Sequence, residues 1–196
     1  MRHLLTIALL LALGACSTTG GLDYVPTGKV EKGPASVTTV TVIDKRDEKP
    51  NRVATIRGGY GNPLKVLDTA TPVAAEVSGV FTKALEARGM LAPSGPYRFQ
   101  VVLNTLYGDQ FMGRRAEIKI GLVVTDAAGR SVYTDSVSDG SYEFTFFDNG
   151  IFAGIEDLRQ VVNKLLSTAI DRMLDKRALY VVLTAPPPLL LGAPTS

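Results

Sequence analysis

Apolar and polar residues alternate through the middle of the chain, as they do in half-buried β-strands. The alternation covers residues 97–107 and 116–125, and Asp126-Ala127-Ala128-Gly129 supplies a turn into a third strand at 130–138. Together these three segments predict an antiparallel meander. The residues expected on one face of its first strand are Tyr97, Phe99, Val101, Leu103, Thr105 and Tyr107. The further strands predicted are 37–44, 52–56 and 180–184.

Two other segments repeat apolar residues every three or four positions, which indicates amphipathic helices. The first follows Thr71-Pro72, a pair suited to a helix N-cap and first helical position, and it ends at Gly89. The second covers residues 155–176 and carries a long apolar stripe. The stripe consists of Leu158, Val161, Val162, Leu165, Leu166, Ala169, Ile170, Met173 and Leu174.

The order of strands and helices predicts one α+β domain over residues 36–184. In this fold, an antiparallel sheet built around the meander packs two amphipathic helices on one face. The opposite face of the sheet carries the polar residues of each alternating strand. Both apolar helix stripes are then buried, while the polar face stays in water.

The first sixteen residues have the pattern of a bacterial lipoprotein signal. A basic start, Met1-Arg2-His3, precedes the ten uncharged residues Leu4–Leu13. A membrane-spanning helix needs roughly 20 apolar residues, so this stretch fits the core of a secretory signal peptide instead. Leu13-Gly14-Ala15-Cys16 resembles the lipobox of lipoproteins. Cleavage is therefore predicted between Ala15 and Cys16, with residues 1–15 as the signal peptide.

Cys16 is the predicted lipid attachment site. Each buried CH₂ group contributes about 0.8 kcal/mol, so two or more palmitate-like chains hold a protein stably on a membrane. Ser17, in place of Asp at the second mature position, resembles lipoproteins sorted to the outer membrane, facing the periplasm. Residues 16–35 are small, polar and rich in Gly and Pro, and predict a flexible tether. Residues 185–196 predict a disordered, Pro-rich tail.

Composition narrows the chemistry that this chain can perform. Its 21 Lys and Arg residues nearly balance 19 Asp and Glu residues, which argues against nucleic-acid binding. The only His is His3, inside the signal, and the only Cys is Cys16. We therefore expect no histidine-based catalysis, no disulfide within the chain, no metal site and no cofactor.

Two loops offer weaker candidates for chemistry. Asp44 and Asp47 could serve an unusual hydrolase, but three cations within the same six residues lower carboxylate pKa values, so a solvated turn is favoured. The glycine-rich loop at 57–63 lacks the Gly-Lys-Ser/Thr ending of a phosphate-binding loop. Its glycines favour a tight loop with positive φ angles over nucleotide binding.

Aromatic residues are concentrated in segment 142–152. Two interpretations stay open: a last strand that buries its aromatics under the helices, or a patch that binds an envelope protein or a lipid chain. The pair Arg114-Arg115 follows Phe111-Met112-Gly113 and predicts a basic loop tip, which could touch an anionic headgroup, although a simply solvated tip is favoured. The residues predicted as contacts with a partner are Tyr142, Phe144, Phe146, Phe147, Arg114 and Arg115.

Several short motifs resemble the YajG-like family of Gram-negative lipoproteins when taken in order. After the lipobox come Asp44-Lys45-Arg46 at a strand end, the loop Arg57-Gly58-Gly59-Tyr60-Gly61, the helix end Leu85-Glu86-Ala87-Arg88-Gly89, and Leu103-Asn104-Thr105-Leu106-Tyr107. The resemblance spans about residues 37–176. It implies an outer-membrane location and a shared fold, and the family has no established enzymatic activity.

These observations lead to one main functional hypothesis. The chain is expected to be a non-enzymatic lipoprotein, anchored in the outer membrane and facing the periplasm, that binds or supports another envelope component. The alternative is a lipid- or small-ligand-binding module whose cleft is lined by the aromatic segment.

Overall fold

The computed structural model describes residues 16–144 and 154–185, in which seven strands and three helices form an α+β fold. The strands are β1 (Cys16–Thr19), β2 (Val37–Asp44), β3 (Arg52–Arg57), β4 (Pro63–Asp68), β5 (Tyr97–Gln110), β6 (Gly113–Thr125) and β7 (Ser131–Phe144). The helices are α1 (Val73–Arg88), α2 (Ile155–Leu174) and α3 (Arg177–Thr184).

The strands form a single open sheet in the order β1-β4-β3-β5-β6-β7, with β2 also paired to β5. Two short strands share one edge of the long strand β5. β2 pairs with its first half, Tyr97–Leu103, and β3 pairs with its last residues, Gly108–Gln110. β6 occupies the whole opposite edge. β5 is therefore the central strand that holds the two halves of the sheet together.

The sheet is mixed, so the prediction of an antiparallel sheet is only partly right. β5, β6 and β7 do form the antiparallel meander that the alternation predicts. However, β2 and β3 run parallel to β5, and β1 runs parallel to β4. Alternation shows which face a side chain takes but says nothing about the direction of the neighbouring strand, so these pairings could not be predicted from it.

An irregularity around Asn104 reverses the facing of the second half of β5. The ladder with β6 shifts register between Leu103 and Thr105. Leu103 and Leu106 are both buried, whereas Thr105 and Tyr107 are partly exposed. The prediction that Thr105 and Tyr107 share a face with Leu103 is therefore wrong, because an extra residue at a bulge turns every later side chain to the other side.

Two elements near the ends of the chain also differ from the sequence prediction. The residues predicted as a strand at 180–184 belong to the helix α3, in which Leu179 and Leu183, one turn apart, are buried. β4 begins directly after the glycine-rich loop and was not predicted, because its six residues begin with a proline and show no clean alternation.

Buried side chains from the strands and all three helices form one hydrophobic cluster. In β6 the predicted inward residues are all buried, and they are Ala116, Ile118, Ile120, Leu122 and Val124. α1 begins at Val73 after Pro72 and ends where Gly89 adopts φ 67°, as its glycine predicts. The packing of the helices on one face stays a prediction. None of the helices in the described ranges is long and apolar enough to cross a bilayer.

The segment that follows β1 packs against the domain, which differs from the flexible tether that its composition predicts. Leu22 and Tyr24 are buried in the hydrophobic cluster. The backbone N–H of Val25 donates to Ser167 Oγ (3.2 Å), and that of Thr27 donates to Asp171 Oδ2 (2.9 Å). Two apolar anchors and specific polar partners on α2 thus order a segment that is otherwise small and polar.

Candidate functional site

Four segments of the chain meet at one end of the sheet. β1 starts at Cys16, which pairs with Lys65 near the start of β4, and loop 58–62 joins β3 to β4 there. Phe111 and Met112 form the turn between β5 and β6 at this same end, and β7 finishes there. We call this region the Cys16 end: Cys16, loop 58–62, the turn 111–112 and the last residues of β7.

The structure brings four of the predicted contact residues together at the Cys16 end. In the ladder between β6 and β7, Arg115 pairs with Tyr142, and Gly113 pairs with Phe144. Arg114 lies between them, opposite Glu143. Because Tyr142 is 66% exposed, burial under the helices does not apply to it. The predicted residues that lie outside the described ranges are Ala15, Phe146 and Phe147.

The prediction of a basic loop tip at Arg114 and Arg115 is wrong, since both residues belong to β6. The guanidinium group of Arg114 makes an ion pair with Asp157 of α2 (3.2 Å), and that of Arg115 makes one with Glu117. The tip itself consists of Phe111 and Met112, because the hairpin turns two residues earlier than its charge pattern suggests.

Exposed apolar side chains mark the two loops of the Cys16 end. Tyr60 is fully exposed in loop 58–62, Met112 is 64% exposed and Phe111 is 39% exposed. None of the three is among the residues that the sequence predicts to contact a partner. The signal that could have found them is the turn itself: tight hairpins usually carry Gly, Asn or Asp, and this one carries Phe and Met.

One face of the meander carries polar side chains that point away from the buried cluster. In β6 these side chains alternate with the buried ones, and register places them beside β5 residues on one side and β7 residues on the other. We call this surface the open face. Its residues on β5, β6 and β7 include Thr105, Tyr107, Asp109, Arg115, Glu117, Lys119, Ser136, Ser138, Gly140 and Tyr142.

Arg57, Tyr107 and Asp109 form a polar cluster where the open face reaches the Cys16 end. Arg57 Nε donates to Asp109 Oδ2 (2.5 Å), and its Nη2 donates to the Tyr107 hydroxyl (3.0 Å). The hydrogen bond from Arg57 to Asp109 raises the pKa of the guanidinium, and burial raises the pKa of the Tyr107 hydroxyl. The cluster is therefore a fixed, charged feature, with Arg57 cationic and Tyr107 neutral at ordinary pH.

Asp44, offered by the sequence as a hydrolytic carboxylate, has a structural partner. Arg46 donates from Nε to Asp44 Oδ1 (3.0 Å), and from Nη1 to the carbonyl oxygens of Arg52 (2.8 Å) and Leu106 (3.3 Å). The Arg46 side chain is only 1% exposed and fills the gap between β2 and β3 along β5. Burial opposes ionisation of Asp44, but the hydrogen bonds from Arg46 outweigh it and lower the pKa of the carboxyl.

The motif at the end of α1 contributes a second buried network. Arg88, 1% exposed, makes ion pairs with Asp171 (2.9 Å) and Asp175 (2.8 Å), and its Nη1 donates to the Tyr24 hydroxyl (2.7 Å). Tyr24 in turn donates to Asp171 (2.5 Å). Because these contacts join α1, the end of α2 and the N-terminal segment, the motif holds elements together and lies away from the Cys16 end. Over residues 16–144 and 154–185 no group of three His, Cys, Asp or Glu side chains could hold a metal ion.

A groove of about 250 Å³ lies between α2 and β7, beside Tyr142. It is lined by Arg114, Ser141, Tyr142, Glu143, Val161, Lys164, Leu165 and Thr168. Pockets that enclose a small molecule usually measure about 300–1,000 Å³, so this groove lies below that range. It is the feature closest to the aromatic-lined cleft of the alternative hypothesis.

Solved structures with low sequence identity resemble this fold. Protein XCC0632 from Xanthomonas campestris matches 80% of this chain and 92% of its own, at 13% identity and a TM-score of 0.55. The PelC dodecamer from Paraburkholderia phytofirmans matches 82% of this chain and 96% of its own, at 10% identity and a TM-score of 0.48. Lipoprotein GNA1162 from Neisseria meningitidis matches 73% and 100%, at 13% identity and a TM-score of 0.32. The first of these shows a shared fold.

At the level of sequence, a search of curated proteins finds no match. The model of a family described as uncharacterised lipoproteins matches residues 26–183, which include nearly all of the described domain. The finer resemblance to the YajG-like family stays a prediction. The chain belongs to the family of uncharacterised lipoproteins whose model matches residues 26–183.

Proposed function

We propose that this lipoprotein is anchored through Cys16 in the outer membrane, faces the periplasm, has no enzymatic activity and binds another envelope component through the open face. The open face carries the proposal. It combines fixed charges, small residues and one exposed aromatic side chain on a rigid three-stranded meander.

The lipoprotein signal and the family support the anchor. The signal ends in Leu13-Gly14-Ala15-Cys16, and Ser17 at the next position favours outer-membrane sorting. The family match covers the domain that follows. Two or more acyl chains would keep this domain on the membrane permanently, so its partners must be reachable from that surface.

The state of the carboxylates supports a non-enzymatic role. Asp44, Asp109 and Asp171 each accept hydrogen bonds from an arginine. The pKa values of Asp44 and Asp171 are lowered, although burial opposes this, because hydrogen bonds to the ionised form outweigh it. A general acid needs the opposite shift, toward neutral pH. These groups suit a structural role rather than proton transfer.

The composition of the open face suits a protein partner. In the first half of β6, Arg115, Glu117 and Lys119 alternate in sign along the strand. On β7 the neighbouring positions, Ser138 and Gly140, are small and leave room for a partner's side chains. Non-obligate protein interfaces are about as polar as the rest of a protein surface, and mixed charges give orientation and specificity.

Site-specific photocrosslinking in cells tests this proposal. A photoreactive residue at Lys119 or Ser138, both exposed on the open face, is expected to give the same crosslinked envelope protein. Gln160 on α2, which is also exposed, is the control and is expected to give no such product. Lys119→Glu should reduce the product formed from Ser138. Products from Gln160 alone, or none from either open-face position, would overturn the proposed interface.

The groove beside Tyr142 favours a second candidate, a lipid- or small-ligand-binding module. Val161 and Leu165 supply apolar lining, and Arg114 and Lys164 supply cations at its rim. Native mass spectrometry of the full chain carrying Cys16→Ala, purified from membrane-rich lysate, separates the two functions. A bare protein mass supports the protein-binding proposal. A reproducible adduct that disappears in Leu165→Arg supports the ligand-binding module.

A further inference from the structure

We propose that the Cys16 end is a membrane-contact surface in its own right, in which Tyr60, Phe111 and Met112 enter the interfacial layer of the bilayer that holds the acyl chains. This inference rests on the lipid anchor of the proposed function. It adds the orientation of the domain. The Cys16 end of the sheet faces the bilayer, and the opposite end points away from it.

The structure leaves no slack between the proposed anchor and the sheet. β1 begins at Cys16 itself, and its register with Lys65 places Cys16 beside the first residues of β4. Neighbouring strands lie about 4.8 Å apart, and the sheet order is β1-β4-β3-β5-β6. Loop 58–62 therefore lies about 7 Å across the sheet from Cys16, and the turn 111–112 about 17 Å. Acyl chains on Cys16 bring both loops to the membrane surface.

The two ends of the meander differ in composition. At the Cys16 end, the turn between β5 and β6 is Phe111-Met112, and both residues are exposed. At the opposite end, the turn between β6 and β7 is Asp126-Ala127-Ala128-Gly129, closed by an ion pair between Arg130 and Asp126 (2.7 Å). A solvated turn favours the second composition. Exposed apolar residues at the Cys16 end fit an interface with hydrocarbon instead.

The chemistry of these side chains suits interfacial depth. Tyr has an apolar ring and a polar hydroxyl, and it is enriched where membranes meet water. Phe and Met add apolar surface that a bilayer would cover. Both strands of the hairpin, β5 and β6, belong to the sheet. Phe111 and Met112 are therefore already held in place and need not become ordered before they contact the bilayer.

Three arginines near this end are already paired and do not turn the contact into a charge-driven one. Arg57 is paired with Asp109 (2.5 Å), Arg114 with Asp157 (3.2 Å), and Arg115 with Glu117. Because each of these cations already has an acidic partner, we expect the contact to form on zwitterionic phosphatidylcholine as well as on anionic lipid. Insertion of the apolar side chains, rather than attraction between charges, therefore drives the proposed contact.

The chain contains no tryptophan, so single-tryptophan variants report the depth of each end directly. The full acylated chain is reconstituted into phosphatidylcholine vesicles with or without brominated acyl chains, which quench tryptophan fluorescence on contact. Tyr60→Trp and Met112→Trp are expected to lose at least about half of their fluorescence in brominated vesicles. Ala128→Trp, exposed in the turn at the far end, is the matched control and is expected to be unaffected.

A second variant checks that the native side chains carry the contact. In the Tyr60→Trp background, Phe111→Ser with Met112→Ser should reduce the quenching, and circular dichroism should show an unchanged fold because both residues are exposed. Chains that float with the vesicles while Tyr60→Trp behaves like Ala128→Trp would overturn this inference and leave the anchor standing. Chains that do not float at all would overturn the anchor and this inference together.

Discussion

Arg88 shows how much of this fold depends on single buried charges. Its guanidinium group joins three parts of the chain through Asp171, Asp175 and Tyr24. Burial alone would lower the pKa of Arg88, but its hydrogen bonds to Tyr24 and the two carboxylates raise it instead. The motif that carried the family resemblance at this position thus has a structural role, since Arg88 contacts all three partners.

Replacing Arg88 with Met should be among the most destabilising single changes in the domain. The variant leaves the buried Asp171 without its cation, and breaking a buried pair in this way costs about 3–5 kcal/mol. Urea unfolding of the Cys16→Ala chain measures the loss. Adding Asp171→Asn and Asp175→Asn to Arg88→Met should restore part of it, because the uncompensated charges are then gone. A loss below about 1 kcal/mol would contradict the network's role.

Asp171 should make the stability of the domain depend on pH in the acid range. Burial opposes ionisation of Asp171, but hydrogen bonds from Thr27, Tyr24 and Arg88 outweigh it and lower the pKa of its carboxyl. A carboxylate with a lowered pKa stabilises the fold above its unfolded value of about 3.9 and loses that contribution as pH falls through the folded value.

We therefore expect the free energy of unfolding to fall as the pH decreases below about 4, and to fall less in Asp171→Asn. Thr27→Val removes the side-chain hydrogen bond to Asp171 (2.7 Å) and should give an intermediate slope. Urea titrations at each pH provide the measurement. Equal slopes in the three proteins would show that this carboxylate does not contribute to the acid transition.

Among the elements, α2 and β5 approach each other closely at Gly108. At Gly108 of β5, a Cβ atom would lie 2.8 Å from Val162 Cγ2 and 3.2 Å from Leu158 Cγ. α2 thus packs directly on the strand backbone, and only glycine leaves room for it. No periodicity in the sequence marks this position, because the requirement comes from a helix fifty residues further along the chain.

Gly108→Ala should destabilise the domain by about 1–3 kcal/mol, the usual range for overpacking a core contact. Gly121→Ala in β6 is the matched control. At that position the nearest atom to a new Cβ is the carbonyl oxygen of Asp135 at 3.7 Å, which is an ordinary contact. In thermal unfolding, the melting temperature should clearly decrease for Gly108→Ala and change little for Gly121→Ala. Equal effects would rule out the close approach as the cause.

The elements also show why the sequence predicted some parts of the fold and missed others. Long alternating strands and the two long helices were predictable, because period and end signals such as Gly89 lie within each segment. β4, with Lys65 and Val66 at its centre, is short, and its partners lie elsewhere in the chain. At 180–184, Val181 and Val182 favour a strand by local preference, yet burial of Leu183 in the core favours a helix.

The candidate site was predictable only in part for a related reason. Arg115, Tyr142 and Phe144 carried a chemical signal of their own, and the structure places them together through the ladder of β6 and β7. Their location at the same end of the sheet as Cys16 could not be predicted, because it depends on the parallel pairing of β1 with β4. The outward facing of Tyr107 depends on the irregularity at Asn104, which leaves no mark in the pattern.

For the whole molecule, Cys16→Ala should separate location from folding. Without the thiol, the precursor is expected to remain unacylated and to be lost from the outer-membrane fraction, while the domain keeps its fold because its buried cluster starts at Leu22. Membrane fractionation with labelled palmitate measures the first effect, and limited proteolysis measures the second. A variant that still fractionates with the outer membrane would contradict the anchor, whatever its fold.

Under the proposed lipid anchor, the unspaced start of β1 at Cys16 sets how far this molecule can extend from the membrane. β5 contains 14 residues, and a strand rises about 3.3 Å per residue, so the sheet is about 45 Å tall along this strand. With no spacer between Cys16 and the sheet, the height of the sheet fixes the distance from Cys16 to the far end of the domain. Under the proposed anchor and location, a partner bound near the Asp126 turn must approach within that height, which confines recognition to a thin layer of the periplasm next to the lipid headgroups.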